Sequence, residues 1–285
     1  MIEPVLKDDH FLTDVRFANV SDDHFRLWWL GQSGFLVQWH GQHLLLDPYL
    51  SDSLTVKYAN SDQPHIRMTA RVVDPGRLNF ITAVSSSHAH TDHLDPGTLK
   101  PLLRASPQLV LVIPEANRKL VAERLNVPAA MPVGLNDGQS ITVGAFRFTG
   151  VSSAHERLEY DAAGNSRFLG YIVQLGEWTI YHSGDTILYD GMAAKLRPFA
   201  VDIAMLPING RAPGRGVPGN LDGGEAAWLG REIGARTVIP CHWDMFTFNT
   251  ARVQEFIEAA RRVGQRSDVL RCGQRWESRS LGSPR

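Results

Sequence analysis

The stretch His88-Ala89-His90-Thr91-Asp92-His93 constrains this chain more than any other, because three imidazoles and a carboxylate fall within six positions. The residues before it, Phe80-Ile81-Thr82-Ala83-Val84-Ser85, are apolar and β-branched and end in a small polar residue. They predict a buried strand over 80–85. A strand ending in such a cluster delivers it to a loop at a sheet edge, where α/β scaffolds usually carry their chemistry. His88 and His90 are two apart, so a locally extended backbone directs both the same way. Asp92 and His93 follow a turn and face a second point. The spacing predicts ligands for two neighbouring metal ions. The competing reading is a solvated loop rich in histidine, and residues far along the chain weigh against it.

The 285 residues are 43% hydrophobic and 21% charged, enough for a large core in one large α/β domain or two small ones. A formal net charge of -1 advertises no basic face, so no nucleic-acid partner is expected. Two cysteines, Cys241 and Cys272, make no disulfide framework and suit a reducing compartment. Met1 to His10 holds no apolar core of a signal peptide, and no apolar run approaches the roughly 18 residues of a membrane helix. The expectation is a cytoplasmic enzyme with no membrane partner.

In chain order, strands are expected over 25–30, 35–39 and 43–46, the last two joined by a hairpin turn at His40-Gly41-Gln42. The third ends in Asp47-Pro48, where Asp47 can accept N–H bonds from a neighbouring loop. Residues 51–79 are polar and irregular, and suit a lid, an oligomer contact or a long loop. Asp95-Pro96-Gly97 opens a short helix through Leu103. Leu109 to Ile113 reads as a strand, and Glu115 to Leu125 as a helix with Leu120, Val121 and Leu125 on one face. Strands follow over 141–143, 146–148, 151–154, 167–175, 178–182 and 201–206. Residues 210–220, with four Gly and two Pro, form a loop. Asp222 to Ile233 is a helix, Thr237 to Pro240 a strand, and Thr250 caps a last helix through Val263. This order predicts two sheets packed face to face under outer helices.

Three single residues stand at the ends of expected strands: His155 after 151–154, Asp185 after 178–182, and His242 after 237–240. Each alone has an ordinary role, as a surface histidine, a turn cap and a packed side chain. With the first cluster they complete a dinuclear site. His88, His90 and His155 hold one ion, Asp92, His93 and His242 the other, and Asp185 bridges the two. A nitrogen and oxygen set without thiolate suits zinc, manganese or iron rather than a structural zinc.

The chain resembles the metallo-β-lactamase fold superfamily. The resemblance rests on His88-x-His90-x-Asp92-His93, then His155, Asp185 and His242 in the family's order, plus Asp47 after a strand, and it spans nearly the whole chain. It implies one domain over 1–285, a four-layer αββα sandwich of two mixed β-sheets flanked by helices, with the metals at one sheet edge. Asp185 stands where zinc β-lactamases commonly carry Cys, which argues against β-lactam hydrolysis. The chain lacks the insertion between Asp185 and His242 of the nuclease branch, and has His90 where flavin-linked relatives usually carry an acid. Within the superfamily it is most similar to the L-ascorbate-6-phosphate lactonase group, through Trp29 to Phe35, Leu46 to Leu50, Leu206 to Arg211 and Ile239 to Phe246. That group is cytoplasmic, manganese-associated and can be oligomeric, which leaves a homo-oligomer open here. The N-acylphosphatidylethanolamine-type phospholipase D branch shares the layout and implies a phosphodiesterase instead.

The chemistry so implied uses the hydroxide of a dinuclear site to open a lactone or ester of a small anionic substrate, such as a phosphorylated sugar acid. Asp92 both ligates metal and passes a proton to the leaving group. Asp47 braces the metal loop from behind. Asn209 and Arg211 are the candidate substrate contacts, Arg211 as a bidentate clamp on a phosphate or carboxylate, with Arg215 a second candidate. Trp243 and Asp244 flank His242 and can wall the pocket. His182 and Cys241 read as structural, and His65 falls in the irregular segment. A protein that kept the fold and lost its chemistry is the remaining alternative.

Overall fold

The computed structural model describes residues 1–18, 23–211 and 217–285. Its nucleus is a meander in which β1 (Arg26–Gly31) and β2 (Gly34–Trp39) pair antiparallel, and β2 pairs antiparallel with β3 (Gln42–Leu46). His40 and Gly41 form the two-residue turn between β2 and β3, both at positive φ (45° and 73°), as the twist of a tight hairpin demands. The helix α1 (Asp8–Phe17) lies against this meander: Trp28 donates to Asp14 (2.8 Å) and Gln38 to the Val15 carbonyl (3.1 Å).

After α2 (Ser53–Lys57) the chain adds three parallel strands, β4 (Ala83–Ser85), β5 (Val110–Pro114) and β6 (Val133–Leu135), with α3 (Pro96–Ala105) and α4 (Arg118–Leu125) as crossovers. The second sheet begins with β7 (Ser140–Val143), β8 (Phe146–Ser152), β9 (Leu169–Leu175) and β10 (Trp178–His182), all antiparallel. Past α5 (Met192–Leu196) it continues in parallel through β11 (Ile203–Pro207) and, after α6 (Gly223–Glu232), β12 (Thr237–Cys241). The helix α7 (Val253–Val263) packs on α6, and β13 (Arg275–Glu277) returns to pair with β1.

The result is two mixed sheets, ordered β13-β1-β2-β3-β4-β5-β6 and β12-β11-β10-β9-β8-β7, flanked by helices. Buried side chains of both sheets join in one apolar cluster, and Phe25, just before β1, meets Trp178 of the second sheet edge to face at 5.6 Å. Among the described residues no helix is long and apolar enough to cross a membrane.

Several expectations shift. The strand over 80–85 shortens to β4 because the Ile81 N–H turns away to the Ser106 hydroxyl (3.2 Å). Expected strands 146–148 and 151–154 merge into one strand, β8, which ends at Ser152 and leaves Ser153 and Ala154 outside it. Val121 and Leu125 of α4 are buried, but Leu120 is 38% exposed, one residue off the inward face. Thr250 does not cap α7; its hydroxyl accepts the Asp244 N–H (2.8 Å), and the helix starts three residues later. Asp222, by contrast, caps α6 in a reciprocal box with Glu225.

Residues 51–79 are a wall rather than a free loop. Arg67 donates to the Ser51 and Thr69 carbonyls (2.6 and 2.7 Å) and faces Asp52, and this ties the segment together.

One glycine sets how closely the two sheets' loops approach. Gly184 lies at φ +58°, and a Cβ there meets Ser87 Cβ at 2.5 Å and Oγ at 2.6 Å. Gly184→Ala is expected to lower unfolding free energy by about 2 kcal/mol through strain and overpacking. Denaturant unfolding of the two proteins measures this, and equal midpoints contradict it.

Candidate metal centre

Both sheets send strands toward one edge, and the polar residues follow their C-terminal ends. Asp47 follows β3, the histidine loop follows β4, His155 comes after β8, Asp185 after β10 and His242 after β12. The bonds that end the ladders also aim the loops. The Asp47 N–H donates to the Ser85 carbonyl (3.1 Å), and the His242 N–H to the carbonyl of Gln32 in the β1–β2 turn (2.9 Å).

The structure brings all seven expected ligands together. Side-chain atoms of His88, His90, His155 and Asp185 form one group, and those of Asp92, His93 and His242 another, each within 4.8 Å. Asp185 reaches into both, with its oxygens 3.2 Å from His93 Nε2, 3.4 Å from His242 Nε2 and 3.6 Å from His155 Nε2. The second group closes with Asp92 Oδ2 at 3.5 Å from His93 Nε2 and 3.4 Å from His242 Nε2. The histidine loop is a series of bends and turns, not the extended run expected for His88 and His90. The two rings nevertheless lie 4.6 Å apart, because the bends bring both toward His155.

Asp47 is buried behind the loop. One oxygen accepts the Ser87 N–H (2.9 Å); the other accepts the Ser87 hydroxyl and His93 Nδ1–H (2.6 Å). This places the His93 proton on Nδ1 and turns Nε2 toward Asp185 and Asp92. His155 is set the same way, its Nδ1–H donating to the Gly219 carbonyl (3.0 Å), and His88 Nδ1 meets Ser87 Oγ at 3.0 Å.

Charge divides the cluster. Burial holds His88 well below the usual imidazole range and lowers His90 and His155 as well. These three are neutral bases at neutral pH, the form that binds a cation. Burial also opposes charge on Asp185, yet His93 and His242 beside it outweigh burial and hold its carboxyl well below the usual range. His242 moves the other way: burial works against its charged form, and Asp185 and Asp92 raise it to about 9.

Metal fits this set. His88 Nε2, His93 Nε2 and Asp185 Oδ1 are buried and have no hydrogen-bond partner among the described residues, and all belong to the converging groups. Buried lone pairs without donors are costly unless a cation takes them.

The cavity over the cluster has a volume of about 290 Å³. Asn209 lies on its wall, its amide linked to Asn249 (2.9 Å) and Asn220 (3.0 Å). Arg211 does not serve the cavity. Its guanidinium forks onto the Glu225 carboxylate (2.7 and 2.5 Å), because Glu225, the partner of Asp222 in the α6 capping box, lies within its reach. Arg215 lies outside the described residues. Trp243 stacks on Trp29 at 5.1 Å, His182 holds the Ser33 carbonyl (2.8 Å), and Cys241 is buried outside the ligand groups.

Lys57, Tyr58, Arg124 and Asn249, which sequence reasoning missed, line the cavity. Arg124 reaches it from α4 by donating to the Ala89 and Leu94 carbonyls of the metal loop. Among the described residues it has no carboxylate partner. Gln32, missed likewise, meets the cluster from below. His65, from the irregular segment, stacks on Tyr58 at 4.3 Å on the same wall.

Comparison with known proteins agrees with this architecture. Residues 42–243 match the model of the β-lactamase superfamily domain, and the chain belongs to that family. It is 26% identical over 250 residues to a UPF0173 metal-dependent hydrolase of Rubrobacter xylanophilus, covering 86% of this chain and 92% of that protein. Among solved structures it is similar to a novel metallo hydrolase of Ignicoccus hospitalis, with 20% identity, a TM-score of 0.64, and 89% and 98% of the two chains covered. An isothiocyanate hydrolase from Delia radicum gut bacteria gives 18% identity, a TM-score of 0.68, and coverage of 88% and 98%. These two structures share the fold with this chain.

Asp47→Ala strands the Ser87 N–H and His93 Nδ1 in a buried site, each worth about 1–3 kcal/mol. The variant is expected to bind divalent metal about 10- to 100-fold more weakly, and Asp47→Asn to recover part of the loss. Competition against a coloured chelator measures both, and unchanged affinity in the Ala variant contradicts the bracing role.

Proposed function

We propose that this protein is a metal-dependent hydrolase that opens a lactone or ester of a small anionic substrate, with phosphorylated sugar acids as the favoured class. The observation that carries this reading is one cavity that holds the imidazole and carboxylate cluster together with two cationic side chains, Arg124 and Lys57. The name of the Rubrobacter relative supports the hydrolytic half. The unpaired Arg124 guanidinium supports the anionic half, in the place first assigned to Arg211.

Bound divalent ions supply Lewis acidity, which brings the pKa of a water toward ~7 and polarises the electrophile by several kcal/mol. His88, His90 and His155 would hold one ion and Asp92, His93 and His242 the other, with Asp185 within reach of both. Manganese and zinc suit these donors, with iron as a third choice. Asp92 has a second task. Its side chain is 15% exposed at the cavity floor. From there it accepts the proton of the attacking water and returns it to the leaving alkoxide, which a lactone keeps tethered. Arg124 takes the substrate's phosphate or carboxylate in a two-point grip, and Asn209 fixes the opposite wall.

One observation favours a second reading. Tyr58, His65 and Phe246 make an aromatic wall beside the cluster, with His65 between a stacked Tyr58 and an edge-on Phe246 at 5.2 Å. Such a wall suits a base or an aryl ester of a phosphodiester.

A panel of a phosphorylated sugar lactone, a homoserine lactone and bis-p-nitrophenyl phosphate, assayed with manganese or zinc, separates the readings. Turnover of the phosphorylated lactone, abolished in Asp185→Ala, is expected; turnover of the diester alone moves the assignment to the phosphodiesterase. Arg124→Gln is expected to raise KM about tenfold for the phosphorylated lactone and to spare the neutral homoserine lactone. Arg211→Ala is expected to leave both unchanged, since its guanidinium is held by Glu225 and does not line the cavity. Equal KM effects of Arg124→Gln on charged and neutral substrates contradict the anion-binding role.

A further inference from the structure

Gln32 sits in the turn between β1 and β2 at φ +50°, and its side chain is fully buried. Its backbone is pinned, because the Gln32 carbonyl accepts both the His242 N–H (2.9 Å) and Trp29 Nε1–H (3.0 Å). Its amide nitrogen lies 2.8 Å from Asp92 Oδ2 and 3.0 Å from His242 Nε2. Those two atoms lie 3.4 Å from each other, so the three form a closed triangle. Atoms sharing one ion through bonds of about 2.0–2.2 Å have mutual spacings of this size. The amide oxygen, at the other end of the same group, is buried with no partner among the described residues.

An N–H that donates to the Asp92 Oδ2 lone pair competes directly with a cation for it. The positive end of the amide dipole is also repelled by a dication, and the negative end attracted. A half turn about the terminal side-chain bond exchanges the two ends without moving the backbone. We propose that Gln32 is a switching ligand of the Asp92–His93–His242 position. Its N–H group holds the donor atoms in place without metal, and its Oε1 turns in to complete the coordination when a divalent ion arrives. Carboxamide oxygen is a hard donor, which biases this position toward manganese or zinc with mixed N/O ligands. The proposal rests on the metal-dependent reading above.

The test is calorimetric titration of metal-stripped full-length protein with zinc, together with visible spectra after cobalt loading. Wild type is expected to take up about two ions per chain. Gln32→Leu is expected to keep one ion at wild-type affinity, weaken the other at least about tenfold, and shift the cobalt spectrum toward the stronger absorption of lower coordination number. Gln32→Glu, which presents oxygen in either orientation, is expected to keep both ions and the wild-type spectral intensity. Should the Leu variant not fold, the Glu variant decides alone: a donor role that only steadies Asp92 makes the added carboxylate repel Asp92 and weakens the second ion. Two ions at wild-type affinity and an unchanged cobalt spectrum in Gln32→Leu overturn the ligand role and leave the dinuclear reading intact. Fewer than two ions in wild type overturn both.

Discussion

A single buried carboxylate orders the working edge of this molecule. Asp47, just past the end of β3, accepts three hydrogen bonds from the loop that follows β4. The bond to His93 fixes which ring nitrogen carries the proton and where the other points. The bonds to Ser87 fix the loop's start, and Gly184 leaves room for that loop to meet the one after β10. The positions of Asp185 and His93 therefore depend on the same contact, although they come from different sheets. Both sheets are needed for the cluster, because neither carries a complete set of donors.

The cluster is asymmetric in charge as well as in composition. His88, His90 and His155 are neutral under burial, whereas His93 and His242 face two carboxylates that favour positive charge beside them. Positive charge is thus held most strongly around Asp92 and Asp185. A cation entering there replaces protons, so metal uptake releases them. Arg124, bonded to the metal loop at the cavity wall, also opposes protonation of His90.

Much of this edge was legible in the sequence because its residues obey a local rule: each follows an apolar strand, and the sheet order then gathers them. Asp47, His155, Asp185 and His242 were visible in this way, and the fold was visible in the alternation of strands and helices. What was illegible depends on partners distant in the chain. Arg211 follows β11 in the right place, but nothing local says that Glu225 will capture it. Arg124 lies in a helix whose sequence reads as ordinary surface, and only the crossover geometry of α4 carries it to the metal loop. Gln32 sits in a turn that reads as a connector. The helix α1 buries only two side chains, and the three-residue β13 is too brief for periodicity to reveal it. Thr250 shows the limit of capping signals, since a hydroxyl near a helix start can serve a neighbouring loop instead.

On the proposed reading, divalent metal holds the buried histidine and aspartate atoms together. Elemental analysis of protein purified without added metal, dialysed, reloaded with zinc or manganese and freed of excess ion tests it most directly. The account predicts about two ions per chain and none in a variant lacking both Asp185 and His242. Folded wild-type protein that retains no ion after reloading contradicts it.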